Sequence, residues 1–202
     1  MSDHPVDRGI DRLEAFSDGI FGIAATLLVL DIRVPRDAPD LAAALLAQWP
    51  SYLGYTGSFI IIGIWWAGHH STLDMVRRSD HALRLFNLLH LLCIGFLPFA
   101  TGLVAEYLNT GGRQFTTATV VYVGTLLLAA VTFNMIWRCS VAGGLLIPSL
   151  GPARIARINR INFYSLGSYV VAFALAFVLP VVALAICFGI ALYYGLPRRA
   201  LH

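Results

Sequence analysis

The sequence predicts an all-α integral membrane protein, a six-helix bundle, on three observations. Its 202 residues are 58% hydrophobic and only 12% charged, with a mean hydropathy of +0.74, far more apolar than an ordinary soluble domain. Charge-free runs recur at lengths near the roughly 20 residues that a helix needs to cross a hydrocarbon core. Arginines gather in alternate connections, as the positive-inside rule requires of a chain threaded back and forth through a bilayer.

The first helix is expected near 13–32, apolar from Ile20 to Leu30 behind an entrance that carries Arg12, Glu14, Ser17 and Asp18. The preceding MSDHPVDRGIDRLE mixes acids with arginines and offers no small-residue cleavage site, so the first helix reads as a retained anchor. The second helix, near 49–68, lies inside the charge-free run 41–68, with Trp49, Trp65 and Trp66 near its ends where aromatic belts sit. The third is expected near 84–105, interrupted by His90 and Pro98, and the fourth near 114–137. Residues 161–197 form 37 positions without a charge, too many for one helix, and divide at Pro180 into spans near 160–179 and 181–197. Between the fourth and fifth helices, AGGLLIPSLGP reads as irregular and RIARINR as an interfacial basic turn. No repeat or low-complexity tract breaks the pattern, so residues 1–202 read as one six-helix domain.

Six helices put both termini on one side. Eleven arginines (8, 12, 77, 78, 84, 138, 154, 157, 160, 198 and 199) fall on the side of the termini, against three, Arg33, Arg36 and Arg113, on the other. Both termini are therefore expected in the cytoplasm, and the chain in the cell membrane, with the lipid bilayer as its solvent. A net charge of +3 gives a nucleic-acid partner no support. Cys93, Cys139 and Cys187 stand at unrelated spacings in or beside apolar segments and suggest neither disulfides nor a metal site.

Steps of 100° per residue place Phe16, Gly19, Ile20, Ile23, Thr26, Leu27 and Leu30 in one stripe of the first helix, with Asp18, Gly22 and Ala25 opposite and Val29 on the far face. Such a stripe is also what ordinary helix packing produces, and Asp18 at a helix entrance is also favoured by the dipole. Arg12 and Asp18 are six positions apart, too poorly aligned to pair along one helix, so their partners are sought on other helices. At the end of the second helix, WWAGHHSTLD sets His70 and Asp74 at i, i+4 if the helix continues, a spacing open to a metal pair or a catalytic couple, though with no third ligand in view. His90 falls mid-helix, where a polar ring usually bonds a neighbouring helix. No GxSxG, HExxH, phosphate loop, intramembrane aspartate pair or TVGYG filter occurs.

RLEAFSDG, Arg12 to Gly19, followed by an apolar helix that ends LDIRVP, resembles the signature of the transmembrane protein 175 family of potassium-permeable channels. WWAGHH in the second helix and NLLHLLCIGFLPF in the third are similar to that family too. The resemblance implies a channel without a pore loop, assembled as a homotetramer around a central pore that the first helix lines. By position it implies a constriction at Ile23, Thr26, Leu27 and Leu30, acting as a hydrophobic gate. It also implies a structural network of Arg12, Phe16, Ser17 and Asp18, for which Trp66, His69, His90 and Asn87 are candidate partners. Asp31 beside the outer end of the stripe is expected to attract cations.

The function expected is passive potassium transport with no cofactor, because an aliphatic ring strips water from the ion and potassium dehydrates more cheaply than sodium. Two alternatives stand beside it. One is a proton-conducting channel with Asp18 and the histidines as carriers; the other is a membrane enzyme using His69, His70 and Asp74.

Overall fold

A computed structural model of the chain describes residues 8–36 and 38–195. Within them the fold is helical, and the sole extended pairing is an isolated bridge between Val76 and Leu146. The helices are α1 (Arg8–Leu27), α2 (Leu41–Ala47), α3 (Trp49–Leu73), α4 (His81–Tyr107), α5 (Gly112–Ala142), α6 (Pro152–Ala176) and α7 (Pro180–Gly195). A tighter 3-10 turn, Leu28–Asp31, extends α1.

Local chemistry sets most of these limits. Asp40 caps α2 by accepting from the backbone N–H groups of Ala42 and Ala43, at 2.9 and 3.1 Å. Asp80 caps α4 in the same way through Leu83 N–H at 2.8 Å. Pro50, Pro152 and Pro180 stand in the first turns of α3, α6 and α7, where a missing N–H costs nothing. Gly111, Gly112 and Gly144 adopt positive φ angles of 62°, 61° and 58°, the left-handed region that favours glycine, and so start and close α5.

Several expected boundaries move. A seven-residue helix, α2, occupies part of the run assigned to the approach to the second span. Helix α3 continues past residue 68 to Leu73; α5 passes through Arg138 to Ala142, since arginine has good helix propensity and a charge does not end a helix in itself. RIARINR is helical, forming the first turns of α6 rather than a turn of its own. The segment expected to be irregular is pinned instead to the α3–α4 connection: Arg77 N–H donates to the Leu145 carbonyl at 2.8 Å, and Ile147 N–H to that of Met75 at 3.0 Å.

By length and composition three stretches qualify as membrane spans, Gly9–Asp31, His81–Tyr107 and Gly112–Ala142, with Pro180–Gly195 a shorter apolar helix. Helices α3 and α6 have 25 residues each, long enough to span, but carry Trp, Tyr and Gly in one and arginines and asparagines in the other. Helix α1 packs against α3 and α4, α4 lies along α5, and α5 lies against α6 and α7. Small residues let these backbones close up: Ala100, Ala129, Ala172, Ala176 and Ala183 are buried at the crossings. A main core gathers Phe21, Leu28, Ile62, Ile94, Leu97, Val123 and Leu126, and a second one at the end where α1 begins gathers Ile10, Leu73, Leu83 and Ile136.

Candidate functional site

Helix α1 divides into two faces. Ser17, Phe21, Ala24 and Leu28, spaced by three and four, are buried against α3 and α4, with Leu28 only 1% exposed. The neighbouring face is open: Ile23, Leu27 and Leu30 are 56%, 41% and 71% exposed, and Phe16, Gly19, Gly22 and Thr26 are exposed as well. Leu30 falls in this row by the 100° step, and the local backbone sharpens the alignment. The switch to a 3-10 turn after Leu27 eclipses residues three apart, which sets Leu30 directly over Leu27. Val29, on the face away from the row, is also exposed, at 47%, because α3 and α4 cover a different side of the helix.

Thr26 is the polar member of the open face. Its hydroxyl donates to the Ile23 carbonyl at 2.8 Å, so the proton is used along the helix and the oxygen is left to face outward as an acceptor. Gly19 and Gly22 have no neighbour within 4 Å of where a side chain would begin, leaving the helix backbone approachable.

The buried face is held by a run of polar contacts. Ser17 Oγ donates to the Leu13 carbonyl at 2.8 Å and accepts from Asn87 Nδ2 of α4 at 3.0 Å. With its amide nitrogen committed, Asn87 offers Oδ1 to His69 Nε2–H of α3, at 2.6 Å. The His69 ring stacks on that of His90, 5.6 Å away and 4° from parallel. His90 Nδ1–H in turn faces the Ala129 carbonyl of α5 at 3.1 Å and Thr132 Oγ1 at 3.2 Å. Phe21, Trp65 and Phe133 surround the His90 ring at centroid distances of 6.0, 5.5 and 5.7 Å. Four helices are thus joined through three fully buried polar side chains, Ser17, Asn87 and His90, and the nearly buried His69.

Asp18 belongs to a separate contact on the flank of α1, where Trp66 Nε1–H donates to its carboxylate at 2.8 Å. Of the residues named from sequence, the chain itself therefore brings together Ser17 with His69, Asn87 and His90, and Asp18 with Trp66. Arg12 and Phe16 are exposed, and among the described residues Arg12 forms no ion pair. Asp31 turns its carboxylate onto α4 at Gly102: a side-chain carbon there would lie 2.8 Å from Oδ1, so only glycine leaves the room. His69 and His70 point apart, His69 to Asn87 and His70 to Glu14, whose Oε1 lies 2.6 Å from His70 Nδ1. The three residues His69, His70 and Asp74 therefore share no cleft. The sequence shows Glu14 only as one charge of the helix entrance and does not mark Thr132 at all, since their partners lie 56 and 42 positions away.

A family model described as "Endosomal/lysosomal potassium channel TMEM175" matches residues 12–98, the stretch from the start of the polar entrance to the middle of α4. A protein of Chamaesiphon minutus named a potassium channel is 38% identical over 99% of this chain and 100% of its own length. One of Streptomyces collinus, also named a potassium channel, is 44% identical over 91% of this chain and 90% of its own. The crystal structure of a homologue, from Chamaesiphon minutus, of the lysosomal potassium-selective channel TMEM175 superposes with a TM-score of 0.83 at 38% identity, covering 93% of this chain and 97% of that one. With relatives matched along nearly their whole length, and a family model that spans the residues of the buried clamp on α1, α3 and α4, this chain belongs to the TMEM175 family.

Proposed function

We propose that the chain is the subunit of a potassium-permeable channel, a homotetramer in which four copies of the open α1 face surround one axial pathway. The observation that carries this reading is the open row itself. Ile23, Leu27 and Leu30 stand one above another on a helix whose other side is bolted into the bundle, and Thr26 beside them presents an oxygen. One helix encloses nothing, whereas a closed cyclic assembly of four turns the row into successive rings. Rings of aliphatic side chains exclude water when narrow and give the ion no ligand, which favours the ion that sheds water more cheaply and makes gate and filter one structure. The names of the Chamaesiphon and Streptomyces relatives support potassium as the ion.

In this reading the six long helices cross the cell membrane as a single domain with both termini in the cytoplasm, and Asp31 concentrates cations at the outer mouth. Ser17, Asp18, Trp66, His69, Asn87 and His90 hold α1 in place without entering the pathway. Arg12 and Phe16, exposed on one chain, are left to neighbouring subunits. Proton conduction by carriers has less to stand on: no titratable side chain occupies α1 from Gly19 to Leu30, and His90 is sealed among aromatic rings. The enzyme alternative lacks a shared cleft for its three residues.

The test is cation flux into liposomes that contain the purified protein, with potassium, sodium and protons measured separately, alongside the mass of the intact assembly. Potassium flux above sodium flux from a four-chain particle is the expected result. Flux without selectivity, or a monomer that conducts, would end the proposal.

A further inference from the structure

Beside the buried clamp, the end of the bundle where α1 begins and α3 finishes carries a polar cluster that the pathway does not use. Because α3 continues through His70 and ends at Leu73, with Asp74 as its cap, His70 and Asp74 lie one turn apart on one face. Glu14 of α1 meets them from the side. His70 Nε2 lies 3.9 Å from Asp74 Oδ2, and its Nδ1 lies 2.6 Å from Glu14 Oε1. One donor atom from each residue can be chosen so that all three fall within 4.8 Å of one another.

Among the described residues nothing uses this cluster fully. His70 Nδ1 is closed off from solvent, yet for all its closeness to Glu14 it sits off the direction that a hydrogen bond needs. Two carboxylates face one imidazole, so even a protonated ring offsets only one of the two negative charges. The ring is also fixed in orientation: it stacks on Trp66 at 5.7 Å and 22°, and Trp66 is held by Asp18. The side chains of Glu14, His70 and Asp74 keep 25%, 42% and 60% of their surface open, so an ion from solution has a path to them.

One imidazole nitrogen and two carboxylate oxygens are the donors of a borderline divalent cation, and three ligands with an open position are common for zinc. Calcium asks for six to eight oxygens, more than this cluster holds. Ligand atoms about 2.0–2.2 Å from a tetrahedral zinc stand roughly 3.3–3.6 Å apart. One ion can take only one of the ring nitrogens, and with that single donor the three ligand atoms stand within 4.8 Å of one another, so the carboxylates must rotate inward by about 1 Å to reach this spacing. We propose that Glu14, His70 and Asp74 form a divalent transition-metal site, best matched by zinc with water completing the shell, which ties α1 to α3. Since α1 carries the open row, an occupied site restrains the helix proposed to line the pathway.

The experiment uses the full chain in detergent. Zinc is titrated in competition with a chromophoric indicator, and Co²⁺ is titrated separately, because its visible absorption reports nitrogen and oxygen ligation. One ion per chain is expected. Glu14→Gln, His70→Gln and Asp74→Asn should each weaken it by at least about tenfold, the smaller loss typical even of residues that only orient a ligand. His81→Gln, which alters an exposed histidine at the start of α4, should leave binding unchanged. Asp74→His keeps a donor and should retain binding, which separates a lost ligand from a lost fold. No binding by the wild-type chain, or equal affinity across the three ligand variants, would overturn the site. So would the loss of binding in His81→Gln alone. The readout is ion binding without flux, so its failure and that of the potassium reading are distinguishable.

Discussion

Asn87 is where the clamp on α1 can be tested most sharply, because it joins α1 to α3 through both halves of one amide. Replacing it with leucine, similar in size, leaves two consequences that the distances define. The 3.0 Å bond to Ser17 disappears, and the His69 Nε2–H that met Asn87 at 2.6 Å is left in a site where His69 is only 1% exposed. An interhelical hydrogen bond in a membrane protein averages about 0.6 kcal/mol and reaches about 1.7, and a buried donor left unpaired costs about 1–3 kcal/mol. Together Asn87→Leu should lower stability by about 2–4 kcal/mol. For a chain of this size that is a fall in Tm of roughly 5–15 °C.

Ser17→Ala supplies the second arm. The Ser17 hydroxyl donates within its own helix, so alanine strands nothing on α1, and its cost arises from Asn87 Nδ2 losing an acceptor. Once Asn87 is leucine, that cost has no source. The two substitutions should therefore be non-additive, with the double variant about as stable as Asn87→Leu alone. The assay is thermal unfolding of all four proteins in one detergent, followed by potassium and sodium reversal potentials for those that assemble. Additive losses, or an Asn87→Leu protein as stable as the wild type, would refute the clamp. An altered ion preference with normal stability would move Asn87 into the pathway.

Leu27→Ala should raise conductance and erode the preference for potassium, and Ile23→Asn should do the same by holding water in its ring; reversal potentials in potassium and sodium gradients decide. Leu28→Ala, one residue along but 1% exposed, is the control: it should cost about 2–5 kcal/mol of stability by cavity formation and leave selectivity intact. Asp31→Asn should reduce conductance most at low ionic strength, since the screening length is about 30 Å at 0.01 M and only about 10 Å at 0.1 M, and a loss independent of salt would count against cation attraction. Reporters fused at either terminus should read cytoplasmic, while a tag placed between Arg36 and Leu41 should be reachable from outside; an outer reading for the C-terminus would undo the six-span topology.

What could be read from the sequence divides along a physical line. The helical class and the divide between α6 and α7 at Pro180 follow from features that one segment carries by itself: charge-free length and proline. The errors arise where a local sign has two meanings. Arg138 read as the end of a span, yet α5 needs its side chain only to reach water and continues for four more residues. Asp40 before LAAALLA is a capping signal that names α2, yet the residues of α2 also open the longer charge-free stretch and read as part of it.

Contacts between helices form a different class, legible only once the fold exists. The row Ser17, Phe21, Ala24 and Leu28 is buried because α3 and α4 lie on that side, and no wheel drawn on α1 alone distinguishes it from the adjacent row that stays open. Glu14 shows the same limit from the other direction. On its own helix it is one more charge near the first turn, and it becomes a partner of His70 only because α3 runs five residues past the expected boundary and delivers that imidazole to it. The length of α3 is therefore the hinge of both assignments: it sets His69 inward to close the clamp and, one residue on, sets His70 outward among the carboxylates.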